Sequence, residues 1–229
     1  MTLQRKWDRR VDKWHSYVTS APAFQQVLER LTELAGPKPT DACVDLGAGT
    51  GFVATALAPR VASVLAVDLS AAMASALADR AARAGLDNIT TEVSDLRQFR
   101  LPAASVDLVV SSYALHHLPD AGKQALVAEA ARWLRPGGRL VIADMMFGRG
   151  ASQRDRQILR QKVIALAAKG PSGLWRIAKN LARYGLRVGP ERPAAPEFWV
   201  AALRSAGFAD VAFYPVVAEA GIVYGVRPG

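Results

Sequence analysis

Between residues 41 and 144 the chain alternates short apolar runs with stretches long enough to form helices, and this alternation constrains the fold more than any other feature. ACVDL (42–46) is followed by FVATALA, and SVLAVD (63–68) by SAAMASALADRAARAG, which Ser70 is placed to cap and Gly85 to end. ITTEV (89–93) leads into a loop and short turn, DLRQFRLP. VDLVVSS (106–112) leads into a helix that stops at Arg135-Pro136-Gly137-Gly138, and RLVIADM (139–145) follows. Repeated strand–helix–strand units predict a parallel sheet covered by helices on both faces, with right-handed crossovers.

The ends of the chain read differently. Residues 3–36 have helical periodicity, with Phe24, Val27, Leu28, Leu31 and Leu34 on the core face. PEFWVAALRSAG (196–207) reads as a helix. DVAFYPVV and GIVYGV (221–226) are separated only by Ala218 to Ala220, a gap that allows an antiparallel hairpin and no crossover helix. The expected fold class is therefore α/β: a doubly wound, seven-strand, mostly parallel sheet with an antiparallel last strand.

The 29 basic residues outnumber the 20 acidic ones, and the excess is local. Eleven basic residues and only Asp155 and Glu191 as acids fall between Arg149 and Arg192, leaving eighteen of each sign elsewhere. Basicity thus belongs to one insertion. No run of 18 apolar residues is present, so no membrane-spanning helix is expected. The segment MTLQRKWDRRVDKW lacks the apolar centre of a secretory signal. Cys43, the single cysteine, excludes an internal disulfide and reads as a small core residue; a reducing cytoplasm is the expected compartment.

VDLGAGTGF (44–52) places Gly47, Gly49 and Gly51 where the first strand hands over to a helix. In a doubly wound sheet the crevice at the carboxyl ends of the strands is the default ligand site, and glycines there let backbone touch ligand. The spacing G-x-G-x-G differs from the G-x-G-x-x-G of dinucleotide-binding loops. Asp45 beside the loop would repel a pyrophosphate and attract a cationic ligand. Asp68 ends the second strand twenty-one residues beyond Gly47, a position suited to a pair of ribose hydroxyls.

The ordered set VDLGAGTG, VLAVDLS, VSDLRQF, VDLVVSSYALHHL and LRPGGRLVIAD resembles the class I S-adenosylmethionine-dependent methyltransferases, most of all the small-molecule and lipid group with ubiquinone-type and phosphoethanolamine-type members. The likeness is strong over 41–144, loose over 196–226 and absent over 145–195. It implies S-adenosylmethionine as cofactor and no metal. Gly47, Gly49 and Gly51 would lie under the aminoacyl and ribose portions, with Asp45 near the ammonium. Asp68 would take the ribose hydroxyls, and Leu69 would lie against the adenine. Asp95 would take the adenine amino group, with Leu96 over the ring. Ser111 and Ser112 would line the path to the methyl. The domains expected are an N-terminal helical lid (1–40), a cofactor-binding core (41–144), a basic helical cap (145–195), and a C-terminal helix with hairpin (196–229).

A sulfonium methyl is already activated, so the protein must chiefly hold a nucleophile in line and exclude water. A base helps where the nucleophile has a proton to lose. His15, His116 and His117 are the only histidines, and adjacent His116 and His117 cannot face the same way. Relatives acting on small amines place a histidine nineteen residues before the Pro of the LxPGG-like turn, paired with a lid tyrosine. His117 stands nineteen before Pro136, and Tyr17 lies in the lid segment, which together imply a His117–Tyr17 dyad. Packing of HHL at the following helix is the alternative. Trp7 and Trp14, seven apart, would share a helix face as lid packing or as a cage for a quaternary amine.

Within the insertion, Arg176, Lys179, Arg183 and Arg187 form one helical stripe beside Leu174, Ile177, Leu181 and Tyr184, the second of two helices broken at Gly170-Pro171. The stripe suits an anionic acceptor, a membrane surface reached peripherally, or plain solvent. The sequence SSYA replaces the Asn/Asp-Pro-Pro-aromatic run of base-amino methyltransferases, so nucleic acid is not expected. The reading is methyl transfer from S-adenosylmethionine to O, N or C of a small-molecule or lipid-like acceptor. The rivals are a phospholipid-headgroup enzyme at the membrane surface, a nicotinamide-dependent oxidoreductase, and a non-catalytic protein that binds the adenosyl cofactor. The acceptor and the oligomeric state are left open by the sequence.

Overall fold

The computed structural model describes residues 2–148, 152–168, 170 and 191–229. Three helices open the chain: α1 (Leu3–Asp8), α2 (Val11–Ser20) and α3 (Pro22–Ala35). α3 starts on a proline, whose missing N–H costs nothing in the first turn, and ends at Gly36 in the left-handed conformation, φ 49°. It buries Phe24, Val27 and Leu31 at helical spacing. Leu28 and Leu34 pack at the margin of the same cluster.

Seven strands follow: β1 (Ala42–Leu46), β2 (Ser63–Asp68), β3 (Ile89–Val93), β4 (Val106–Ser112), β5 (Leu134–Met145), β6 (Ala209–Pro215) and β7 (Ala220–Val226). They form one sheet in the order β3-β2-β1-β4-β5-β7-β6. Pairing is parallel from β3 to β5, and β7 runs antiparallel between β5 and β6. The expected fold class is borne out. The order reverses between β1 and β4, which opens a crevice at their carboxyl ends.

The helices are α4 (Ala54–Leu57), α5 (Ala71–Arg83), α6 (Asp120–Trp133), α7 (Gln153–Ala167) and α8 (Pro196–Ser205). FVATALA gives only the four residues of α4 and a 3₁₀ turn at Ala58–Arg60, because Pro59 cannot donate to continue the helix. Ser70 caps α5, its hydroxyl accepting from the Met73 amide at 3.2 Å. α6 ends at Trp133, and β5 begins at once. Arg135-Pro136-Gly137-Gly138 therefore lies within β5 as a bulge, where Val106 pairs Leu134 and Leu108 pairs Arg139. Its backbone is satisfied by Arg227, which accepts from Gly137 and donates to Gly138, each at 2.8 Å. The second half of the predicted two-helix insertion, with the stripe Arg176–Arg187, lies outside the described residues.

Strand alternation sorts the core into two layers. Leu108 and Val110 of β4 point to a cluster with Val27, Leu31, Leu57 and Leu77 from α3, α4 and α5. Val109 points to the opposite face, where Trp133, Trp199 and Leu203 from α6 and α8 are buried. Cys43 is buried in the first of these layers, as a small core residue should be. No helix among the described residues is long and apolar enough to cross a membrane.

Candidate functional site

A cavity of about 320 Å³ runs along the carboxyl ends of β3, β2, β1 and β4, roofed by α1 and α2. Strands lie about 4.8 Å apart, so side chains at successive strand ends form a row. Asp95 follows β3, Asp68 ends β2, Asp45 lies in β1, and Ser112, Tyr113 and His117 follow at β4; all line the cavity. Three carboxylates thus occupy one end and aromatic rings the other.

Asp45 is 1% exposed. The Ala54 amide donates to it, yet its Oδ2 has no hydrogen-bond partner. Burial first, then the nearby Asp68 charge, pushes its pKa up to about 7. A buried carboxylate oxygen without a donor is costly, and a cation in the cavity would satisfy it. Asp68 is held rigidly: Oδ2 accepts from the Gly49 amide and Oδ1 from the Ser70 amide, both at 2.8 Å. Burial raises its pKa, opposed by these amides. Asp95 accepts from Arg97, through the amide and Nε at 3.0 Å and through Nη2 at 2.5 Å, and this partner lowers its pKa. Leu69 and Leu96 complete the apolar lining at this end.

The glycines have separate reasons. Gly47 and Gly49 line the cavity with φ of 76° and 55°. A Cβ on Gly47 would come within 2.2 Å of the Ala114 Cβ, and one on Gly49 would meet the Trp14 indole nitrogen at 3.4 Å. Gly51 does not line the cavity. Its φ is 89°, and a Cβ there would strike Leu77 Cδ1 at 2.3 Å, so it lets α5 approach the loop rather than lying under a ligand.

Ser111 requires a correction. Its side chain is fully buried on the α6 side of the sheet, and its Oγ donates to the Leu46 carbonyl at 2.7 Å. Alternation along β4 turns Ser112 into the cavity instead.

The two adjacent histidines do face apart. The Asp144 carboxylate, 1% exposed at the end of β5, accepts from the His116 amide at 2.8 Å and lies 2.6 Å from His116 Nδ1. This clamp holds the 3₁₀ turn Leu115–His117 and leaves His117 lining the cavity, its ring edge-on to Trp7 with centroids 5.6 Å apart. Tyr17, the expected partner of His117, is 56% exposed and does not line the cavity. Trp14 and Val18, one turn apart on α2, take the inward positions, which leaves Tyr17 on the flank against Trp14 and Phe24. Tyr113 lines the cavity in its place, with φ 50°. That conformation costs a non-glycine residue about 1–2 kcal/mol. Burial, then Glu219 and Asp144, pushes its phenol well above the usual value, so it remains protonated.

The roof is tied to the loops at two points. Ser70 Oγ donates to Asp8 at 2.5 Å, and His15 Nδ1 lies 3.2 Å from Thr50 Oγ1. Trp7 and Trp14 come from two helices broken at Arg9-Arg10, not from one continuous face as expected, and their rings meet edge-on at 5.3 Å. Phe24 as a cavity residue, the Asp144 clamp and Asp8 as a tie had no local signal in the residue pattern. The Asp-x-Arg of SDLRQF was a local signal for the Arg97–Asp95 contact.

A sheet wound in this order with an acid-lined crevice at its switch point defines a nucleoside-binding α/β protein, and comparison with known proteins gives the family. Residues 43–138 match the model of a methyltransferase domain. Nocamycin O-methyltransferase of Saccharothrix syringae is 31% identical over 197 residues, 84% of this chain and 68% of that protein. An uncharacterized methyltransferase of Geobacillus thermodenitrificans is 31% identical over 147 residues, and the match spans 64% of this chain and 62% of that relative. The crystal structure of a SAM-dependent methyltransferase from Aquifex aeolicus shares the fold, with a TM-score of 0.65 at 18% identity, over 96% of this chain and 98% of that one. The chain belongs to the class I S-adenosylmethionine-dependent methyltransferases.

The residues present fit that cofactor. The partnerless buried oxygen of Asp45 suits an ammonium, the bare backbone at Gly47 and Gly49 admits close approach, and the rigid Asp68 carboxylate has lone pairs left for two hydroxyls.

Proposed function

We propose that the chain methylates an oxygen of a small organic acceptor. The observation that carries this reading is His117: an imidazole at the β4 end of the cavity, beyond the three carboxylates and under the roof. A neutral amine can attack first and shed its proton afterwards, whereas a neutral hydroxyl is a poor nucleophile until its proton is drawn off, so a base beside the acceptor is worth most to oxygen. The similarity to nocamycin O-methyltransferase supports the same atom.

In this reading Asp45 holds the cofactor's ammonium, Asp68 its ribose hydroxyls, and Asp95 with Leu69 and Leu96 its adenine. The bound cofactor supplies an electrophilic methyl whose bonding pair leaves on sulfur. His117 takes the proton that the acceptor hydroxyl releases as its oxygen bonds to the methyl carbon. Tyr113, kept protonated, donates to the acceptor oxygen and orients it, while α1 and α2 exclude water. The domain roles in this reading are a roof from 1–40, cofactor binding by 41–144 and completion of the sheet by 196–229, while the cap expected at 145–195 falls in large part outside the described residues. Nothing in the described residues favours the membrane or nicotinamide alternatives.

The test is release of S-adenosylhomocysteine against a panel of hydroxylated, amino and carbon-acid acceptors. The expected result is turnover on hydroxylated compounds that falls about 10²-fold or more in His117→Ala, with cofactor affinity within twofold. Full activity of that variant would reduce His117 to a packing residue.

A further inference from the structure

The β4 end of the cavity has a composition that the cofactor does not account for. Its walls are Trp7 of α1, Trp14 and Val18 of α2, Phe24 of α3, Tyr113 at the end of β4, and His117. The rings form an unbroken chain of contacts, three edge-on and one tilted. His117 meets Trp7 at 5.6 Å, Trp7 meets Trp14 at 5.3 Å, Trp14 meets Phe24 at 5.8 Å, and Phe24 meets Tyr113 at 4.6 Å. Interplanar angles of 64°, 72°, 84° and 47° turn successive faces in different directions, so the wall curves instead of stacking into a closed plug.

Charge gives a second, independent constraint. Among the described lining residues the acids are Asp45, Asp68 and Asp95, and the one cation is Arg97. Arg97 stands at the β3 end, and its guanidinium is engaged with both oxygens of Asp95. Lys6 lies 5.5 Å from the Trp7 ring centroid but does not line the cavity. Among the described residues the aromatic end therefore offers an anion no lining Lys or Arg, and the nearest lining charges beyond it are negative. The polar side chains that line this end are Ser112, Tyr113 and His117, besides the indoles of Trp7 and Trp14.

We infer that this end is a subsite for a flat, uncharged ring system bearing a hydroxyl, held by aromatic faces and edges, and not for a phosphate- or carboxylate-bearing acceptor. The inference rests on the methyl-transfer reading, since it takes the acid-lined end to be filled by the cofactor. A planar ring gains offset and edge contacts along such a wall without ordering a flexible chain. A carboxylate placed there would lose its hydration with no Lys or Arg among the described lining residues to replace it. Tyr113 is the specificity-determining residue at the junction, because its strained backbone turns the phenol from β4 into the wall beside Phe24.

The experiment uses two probes with one ring system. Protein saturated with S-adenosylhomocysteine is titrated by calorimetry at pH 7 with 2-naphthol and with 2-naphthoate. The expected result is a dissociation constant at least tenfold lower for 2-naphthol. Trp7→Leu, which keeps an apolar side chain but removes the flat one, should weaken 2-naphthol at least fivefold. Phe24→Leu should do the same from the core side if the Trp7 change unsettles the roof. Equal or tighter binding of 2-naphthoate, no binding of either probe, or unchanged 2-naphthol affinity in both variants would overturn the inference. Failure of S-adenosylhomocysteine itself to bind would instead overturn the methyl-transfer reading.

Discussion

Asp45 is the residue whose environment makes the sharpest demand. Its carboxyl has pKa of about 7 against an ordinary 3.8, so between those values the folded protein holds a proton that the unfolded chain has lost. By linkage this group alone lowers the stability of the cofactor-free protein as pH rises from about 4 to about 7. A bound ammonium would favour the ionised form, so cofactor binding near neutral pH should expel a proton. Calorimetry of S-adenosylhomocysteine in buffers of different ionisation enthalpy should show proton release near pH 7 and affinity falling as pH drops from 8 to 6. Asp45→Asn should bind weakly and lose both effects; an unaltered pH profile in that variant would place the ammonium elsewhere. Asp45 and Asp68 were readable as strand-end acids, because strand length and glycine spacing are local. Ser111 was not. A one-residue choice of face depends on which side of β4 the helices cover, and Leu46 of the neighbouring strand settles it by accepting its hydroxyl.

At the scale of elements, the roof is the weak unit. α1 buries no residue and α2 only Val18. Helices of six and ten residues are marginal alone, so α1 and α2 are held by aromatic edges and by the Asp8–Ser70 and His15–Thr50 contacts. Local opening of such a unit costs far less than global unfolding. Hydrogen exchange should be faster over residues 3–20 than over β1, β4 and β5, and S-adenosylhomocysteine should slow it. Asp8→Ala should speed exchange of α1 about threefold or more, given about 1.5–3 kcal/mol for a charge-assisted bond in part exposed to solvent. Equal protection of roof and sheet would refute this division. The periodicity of 3–36 announced helices but not the break at Arg9-Arg10 that sets Trp7 against Trp14. It also could not show that Val18, not Tyr17, faces inward. Both depend on where the roof meets the cavity rather than on any helical preference.

For the whole molecule, the site is a product of strand order. Asp45, Asp68, Asp95 and Tyr113 stand 23, 27 and 18 residues apart along the chain (68 − 45, 95 − 68, 113 − 95), and the order β3-β2-β1-β4 brings their strand ends into one row. A ligand along that row bridges four strands and the roof, so it binds the folded state alone. At a concentration one hundred times its dissociation constant, S-adenosylhomocysteine should add about 2.7 kcal/mol. For a domain of this size that is roughly 5–10 °C in Tm, read by scanning calorimetry. NAD, whose pyrophosphate would face the acids, should leave Tm unchanged. The reverse outcome would return the nicotinamide reading.

The sequence by itself determined the alternating sheet, the antiparallel finish, the glycine loop and the acids at the strand ends. Each follows from local periodicity, local backbone freedom or the length of a connection. Tertiary structure alone decided which of two adjacent histidines is clamped by Asp144 and which enters the cavity. It also decided which serine of a pair is buried, and how five aromatic side chains from four segments meet as one wall. The physical reason is that facing and adjacency are set by packing between elements distant in the chain, where no residue's own preference distinguishes the two sides.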